Sequence, residues 1–239
     1  MTRMGAAAYI LDHVHFPRLS PNIVTRTPRP GSAGRPDFEH EARLGARGYR
    51  AVAGVDEAGR GPLAGPVAVA AVILDAARAP SGLDDSKRLS AQARESLFEL
   101  ILAEARAVSI VVAPPADIDR LNIRAATLAA MARAVSALSL AADFVLVDGR
   151  DLPPSLTAPG LALVGGDARC ASIAAASILA KVTRDRMMTR LDAHAPQYGF
   201  ARHKGYGTAA HLAALDRHGA SAWHRLSFAP CKAAALTGP

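Results

Sequence analysis

Cysteine, lysine and aromatic residues are all scarce in this sequence. Two cysteines in 239 residues, Cys170 and Cys231, cannot build a disulfide scaffold, and their separation lacks the clustered spacing of a zinc site. A reducing compartment is expected. Aromatics make up 5% of the chain, so Trp223 and Phe228 are read as core anchors of the C-terminal part and not as stacking platforms. No stretch of about eighteen residues is both apolar and uncharged. The N-terminus reaches Asp12 and His13 before any hydrophobic signal region develops. Neither a membrane span nor a signal peptide is expected, and the expected location is cytoplasmic. Lysine occurs only at Lys87, Lys181, Lys204 and Lys232. In so arginine-biased a chain, a surviving lysine can mark a place that needs a compact ammonium.

What is present suits a globular enzyme-sized domain. Half of the residues are hydrophobic and 21% are charged, which excludes collagen, coiled coil and wholesale disorder. Lys+Arg 28 against Asp+Glu 21 leaves +7, a surface potential that favours a polyanionic partner.

Residues 1–47 hold Pro17, Pro21, Pro28, Pro30 and Pro36 with Gly31, Gly34 and scattered arginines, and show no period of 2 or 3.6. They read as a basic, Pro-rich extension without regular structure, in front of one domain over residues 48–239. From there the pattern alternates. Residues 51–55 and 67–74 are short apolar runs, each a buried strand, joined by a Gly/Pro-rich turn. A helix is predicted behind Ser90, then strands at 108–112 and 144–147 with a helix over 123–138 between them. A strand at 161–164 and helices over 171–191 and 208–218 follow. Strands first and then strands alternating with helices indicate an α/β fold with a mixed sheet.

Two of those strands end in acids. Asp56-Glu57 closes the run that ends at Val55, and Asp148 closes the run that ends at Val147. Ionised carboxylates there are costly unless a cation or hydrogen-bond donors compensate them. Taken singly, each reads as a loop cap that accepts backbone N–H bonds. Together with Asp167, placed after Gly165-Gly166 at the head of the long helix, they read as hard oxygen ligands on one sheet edge. Without His or Cys among them, that set favours Mg²⁺ or Mn²⁺ over zinc and suits phosphoryl-transfer chemistry. The glycines beside Asp56-Glu57 allow close backbone approach to a ligand, and Arg60 can hold a phosphate.

The segments GVDEAGRGPLAGP, DDSKRLS, LVDGRDLP, GGDARCASIAAASILAKVTRDR, HKGYGT and HRLSF, in this order and spacing over about residues 50–230, resemble ribonuclease HII, the type 2 ribonuclease H of bacteria. The resemblance implies a ribonuclease H-like fold, a five-stranded mixed sheet flanked by helices, with a helical C-terminal region. It implies that Asp56, Glu57, Asp148 and Asp167 are the catalytic, metal-binding carboxylates and hold Mg²⁺ or Mn²⁺, two ions in the catalytic complex. One ion would activate water and the other stabilise the leaving 3′ oxygen. Asp185 competes for the fourth place, but four residues after Lys181 on a helix it reads better as an i,i+4 ion pair. By the same resemblance Gly59-Arg60-Gly61 reads a ribonucleotide 2′-hydroxyl through its backbone. Tyr206 stacks on the neighbouring sugar, and Ser86 and Lys87 contact phosphate. Arg202, His203, Lys204, His224 and Arg225 extend a basic strip that follows the nucleic-acid backbone.

The implied enzyme is an endonuclease acting on RNA–DNA hybrids and on ribonucleotide-containing duplex DNA, as a monomer with no membrane partner. No clamp-binding peptide is recognisable in residues 232–239. Two other readings compete: a resolvase- or transposase-type nuclease with similar carboxylates, and a nucleic-acid-binding module without chemistry. Neither has a 2′-hydroxyl reader as a natural part, and four acids facing a polyanion would oppose simple binding.

Overall fold

A computed structural model describes residues 24–25 and 34–237; the expected extension over 1–23 and 26–33 lies outside them. Six strands form one sheet among the described residues: β1 (Val24–Thr25), β2 (Val52–Ala58), β3 (Val67–Ile73), β4 (Ala107–Ala113), β5 (Phe144–Asp148) and β6 (Gly160–Leu163). Their order is β1-β6-β5-β2-β3-β4. β1 is a two-residue edge pairing, so the body of the sheet is the five strands β2 to β6. β2 runs parallel to β5 and antiparallel to β3, which makes the sheet mixed.

Helices cover both faces. They are α1 (Glu39–Gly45), α2 (Ala91–Glu104), α3 (Pro115–Leu121), α4 (Ile123–Ser136), α5 (Ala171–His194), α6 (Phe200–His203), α7 (Ala209–His218) and α8 (Ala229–Thr237). β3 has no polar residue because both its faces are covered, the rule for strands inside a layered sheet. Val67, Val69, Ala71 and Ile73 pack towards Ile118, Met131 and Val135 of α3 and α4. Ala70 and Val72 pack towards α2 and α5. Ser90 caps α2, its side chain accepting from Ala93 N, and Thr208 caps α7 through His211 N.

Helix α5 lies directly against β2. A Cβ at Gly54 would stand 2.2 Å from the backbone carbon of Ser172. Only glycine fits there, and the alanines and serines of the first half of α5 permit the same approach. The contact sets the level of the strand two residues before Asp56. No helix among the described residues is long and apolar enough to cross a membrane.

The N-terminal boundary differs from the sequence reading. Residues 39–45 are helical, and the segment around them is docked on the domain. Ala171 N donates to Asp37 O at 2.8 Å, Leu44 is buried, and Glu41 Oε1 accepts from Ser172 N at 2.9 Å and from Cys170 Sγ at 3.2 Å. Cys170, at the N-cap of α5, makes no side-chain cap bond. Glu41 supplies from a distant helix the acceptor that the local sequence lacks, and its charge suits the positive end of α5.

Candidate active site

β2 and β5 are neighbouring parallel strands with Val55 opposite Val147. Asp56 and Asp148, the next residues, therefore emerge side by side at the same sheet edge. Glu57 follows Asp56, and Asp167 enters from the 3-10 turn Gly166–Ala168 after β6. That turn is tied to β5, because Gly166 N donates to Asp148 Oδ1 at 2.7 Å. Asp56 Oδ1 accepts from Glu57 N at 2.7 Å. The structure thus brings all four predicted carboxylates to one edge.

Their crowding shows in their proton affinities. Burial, and then the charges of Asp148, Glu57 and Asp167, push the Asp56 carboxyl well above its ordinary range. Burial raises Glu57 despite the opposing pull of Arg60, whose NH1 lies 3.3 Å from Glu57 Oε1. Burial and then the Asp167 charge push Asp148 up to about 6. Glu57 Oε2 is buried with no hydrogen-bond partner. Carboxylates that raise one another, with an orphaned oxygen among them, form a donor set that fits a divalent cation. Among the described residues no three His, Cys, Asp or Glu side chains already stand at metal-holding spacing. The protein's own cation is at the edge instead, with Lys87 Nζ 3.3 Å from Asp167 Oδ2. Beside the acids opens a shallow cleft of about 30 Å³ lined by Glu57, Arg60, Arg124, Asp148, Arg150 and Asp151.

The Gly59-Arg60-Gly61 turn borders the same edge. Two of the neighbouring glycines are needed from beneath and not for a ligand. Gly59 has φ +99°, and a Cβ there would stand 1.9 Å from Arg184 Nε; one at Gly65, φ +83°, would meet Met188 Sδ at 2.3 Å. A Cβ at Gly61 would meet only the Tyr206 ring, at 3.7 Å. Tyr206, 48% exposed, therefore stands beside this turn with its ring available.

Other predicted site residues fall differently. Ser86 is buried and its hydroxyl is shared with Ser177 Oγ at 2.8 Å, which directs it inward, while its carbonyl accepts from Arg94 NH1. Lys87 next to it reaches the site. Asp185 pairs with Lys181 at 2.8 Å, as the helical spacing predicts. The basic strip does not hold together. Arg202 is exposed and Lys204 Nζ donates to Thr189 Oγ1, but His224 and Arg225 are buried, His224 bonded to His211 and Ser221 and Arg225 to backbone carbonyls. Trp223 is 39% exposed and so is no core anchor, whereas Phe228 is half-buried against the core and under the Arg225 guanidinium.

Three imidazoles hold the Tyr206 segment. Ser221 N donates to His224 Nδ1 at 3.0 Å, so His224 Nε2 carries the proton and donates to His211 Nε2 at 3.1 Å. His211 Nδ1 in turn donates to Tyr206 O at 2.9 Å. His203 accepts from Gly205 N at 3.2 Å and donates to Tyr198 O at 2.7 Å. Each ring uses one nitrogen as donor and the other as acceptor. Burial and then the neighbouring His211 push His224 down to about 4. Sequence reasoning missed this cluster and also Glu41, Arg184 and the true place of Arg225. His203, His224, Arg184 and Arg225 lie inside the segments quoted above, where they carried a signal of a basic strip or a motif but not of these contacts, whereas His211 and Glu41 carried none.

Comparison with known proteins agrees with this geometry. The profile of the family described as Ribonuclease HII matches residues 53–231. A protein named Ribonuclease HII from Rhizobium johnstonii is 58% identical over 197 residues, covering 82% of this chain and 86% of that protein. Among solved structures, ribonuclease H2 from Pyrococcus horikoshii OT3 superposes with a TM-score of 0.68 at 26% identity, covering 78% of this chain and 98% of that one. The ribonuclease HII of Archaeoglobus fulgidus, solved in a complex with PCNA, gives 0.61 at 29% identity, covering 70% and 88%.

Proposed function

Because the chain belongs to the ribonuclease HII family, a family of ribonuclease H hydrolases, we propose that it is an endonuclease for RNA–DNA hybrids that also cuts at ribonucleotides embedded in duplex DNA. The products are 5′-phosphate and 3′-hydroxyl ends. The observation that carries this reading is the convergence of Asp56, Glu57 and Asp148, three carboxylates raised by burial with one oxygen unpartnered, on an edge bordered by a basic turn. Asp56, Glu57, Asp148 and Asp167 would hold Mg²⁺ or Mn²⁺, which supplies Lewis-acid stabilisation of phosphoryl oxygens and a bound water of lowered pKa.

The remaining work falls to the chain's own groups. Arg60 and Lys87 offer cations to the phosphates on either side of the carboxylates, without reading sequence. Gly61 leaves the turn open on its outer side, and the 2′-hydroxyl is the handle that separates RNA from DNA there. The Tyr206 ring, fixed at its backbone by His211, faces the adjacent sugar.

The test is incubation with Mg²⁺ or Mn²⁺ and a duplex holding one ribonucleotide, with the all-DNA duplex as control. Metal-dependent cleavage at the ribonucleotide alone is expected. Equal cleavage of the all-DNA duplex would favour a resolvase-like enzyme, and binding without cleavage a non-catalytic module.

A further inference from the structure

Arg225 is 0% exposed and Arg184 is 1% exposed. Arg225 donates from NH2 to Gly59 O at 2.6 Å, from NH1 to Arg60 O at 2.8 Å, and from Nε and NH2 to Gly65 O at 3.0 and 2.9 Å. Arg184 donates to Pro66 O at 3.0 Å, Ala64 O at 3.2 Å and Lys204 O at 2.9 Å. Neither guanidinium has a carboxylate in bonding contact among the described residues. The negative surroundings of Arg225 are these carbonyls, the nearby Asp119, and the Phe228 ring 5.3 Å away. Burying two cations on carbonyls alone is expensive, and a loop needing only to be folded could be held by neutral bonds.

The geometry of the peptide bond says what the arrangement achieves. No peptide among the described residues is cis, so each carbonyl and the following N–H point in opposite directions. With the Gly59 and Arg60 carbonyls turned down onto Arg225, the N–H groups of Arg60 and Gly61 are turned away from it, to the outer side of the turn. Arg184 extends the frame to Lys204, and Leu63 N donates to Gly205 O at 2.8 Å, which ties in the segment bearing Tyr206. Lysine could not replace this fork, having a single nitrogen without planar geometry.

We propose that Arg225, with Arg184 beside it, is a positioning residue for ribonucleotide recognition: it fixes the Gly59-Arg60-Gly61 turn with its amides outward and registers it against Tyr206. This rests on the reading that the turn recognises the ribonucleotide. Arg225 touches no substrate and acts only through the backbone it holds.

The test compares wild type, Arg225→Lys and Arg225→Met. Binding is measured with Ca²⁺ replacing Mg²⁺, to a duplex with one ribonucleotide and to the all-DNA duplex, and the melting temperature is taken on the same preparations. Arg225→Lys, which keeps a charge, should melt nearer to wild type than Arg225→Met. Both should lose at least fivefold in preference for the ribonucleotide duplex. A folded Arg225→Lys whose preference stays within twofold of wild type overturns the proposal and leaves the turn's role intact. A wild type that shows no preference overturns both. Should neither variant fold, the wild-type Arg225 Nε–H resonance decides, identified by its contact with Gly65. It should shift on adding the ribonucleotide duplex and not the all-DNA duplex, and an equal response to both overturns the proposal.

Discussion

The Lys87 ammonium lies 3.3 Å from Asp167 Oδ2 across 80 residues of sequence. It is a cation on the DDSKRLS loop placed against the acid that enters from the far side of the sheet edge. Burial pulls the Lys87 ammonium towards losing its proton, and the charges of Asp167 and Asp85 outweigh that pull and raise it. The pair is largely solvated on the Lys87 side, so its effect on folding is small. Its importance is electrostatic and local, because it offsets part of the repulsion among the four acids.

Asp148→Asn should keep hybrid binding and lose turnover in Mg²⁺, on the order of a hundredfold or more, because the charge that holds the ion is gone while the shape remains. The same change should raise stability by about 1 kcal/mol or more, since an amide oxygen still accepts from Gly166 N without repelling Asp167. Steady-state rates and thermal melts on one preparation check both. Near-normal turnover would remove Asp148 from the metal site.

Tyr206→Ala should cost more on a duplex with a single ribonucleotide than on a uniform RNA–DNA hybrid, where many registers are available. Loss of one stacking contact is worth about 1–3 kcal/mol, roughly fivefold to a hundredfold in rate. Tyr206→Phe should recover most of it. Because the residue is half exposed, stability should change by less than about 1 kcal/mol, so a large drop in melting temperature would assign the ring to packing. An unchanged ratio of the two activities would take Tyr206 out of recognition.

Glu41→Ala should lower stability by about 1–2 kcal/mol through loss of the acceptor at the first turn of α5. Deleting residues 1–47 should lower it further, because Leu44 is buried and the Asp37 bridge to Cys170 goes too. The reading of this whole stretch as a solvated tail predicts no change in either melt, and such a result would detach α1 from the fold.

Acid should weaken the C-terminal part through His224. Its folded pKa, about 4, lies below the ordinary 6.5. The unfolded chain therefore takes up a proton first, and stability falls as pH drops from about 6.5 to 4, by about 3 kcal/mol at most. The groups facing it are His211, His203, Tyr198 and Ser221. Asp148 works in the opposite direction, since its folded carboxyl is raised to about 6 and binds its proton first as pH falls. Comparing wild type with His224→Asn cancels that contribution. The variant should show a shallower loss of unfolding free energy between pH 6.5 and 4, and parallel curves would contradict the neutral imidazole relay.

The strands and their terminal acids were legible because buried strands must be apolar, so Asp56, Glu57 and Asp148 stand out where they interrupt the runs. Ser90 and Thr208 marked helix starts for a similarly local reason. Helix α1 was not legible. Three of its seven residues are charged, it buries one leucine, and its reason for existing is a contact with Ser172 some 130 residues away. Arg184 and Arg225 were hidden for a related reason. Nothing local distinguishes a guanidinium that binds carbonyls in the interior from one in water, and a run of basic residues looks like a solvated strip in either case. Trp223 failed in reverse, because scarcity of aromatics says nothing about which one the core will take.

Helix α5 acts as a caliper for the whole enzyme. One end is clamped by Glu41 just after the turn that presents Asp167, and Arg184, thirteen residues beyond Ala171, reaches under the Gly59-Arg60-Gly61 turn. At 1.5 Å per residue the span between the two jaws is about 20 Å, set by helical geometry and insensitive to the loops around it. Deleting one residue between Ile178 and Arg184 would leave Asp167 in place and swing the guanidinium about 100° around the axis. Such a chain would keep its carboxylates and lose the Arg184 bonds to the Pro66, Ala64 and Lys204 carbonyls.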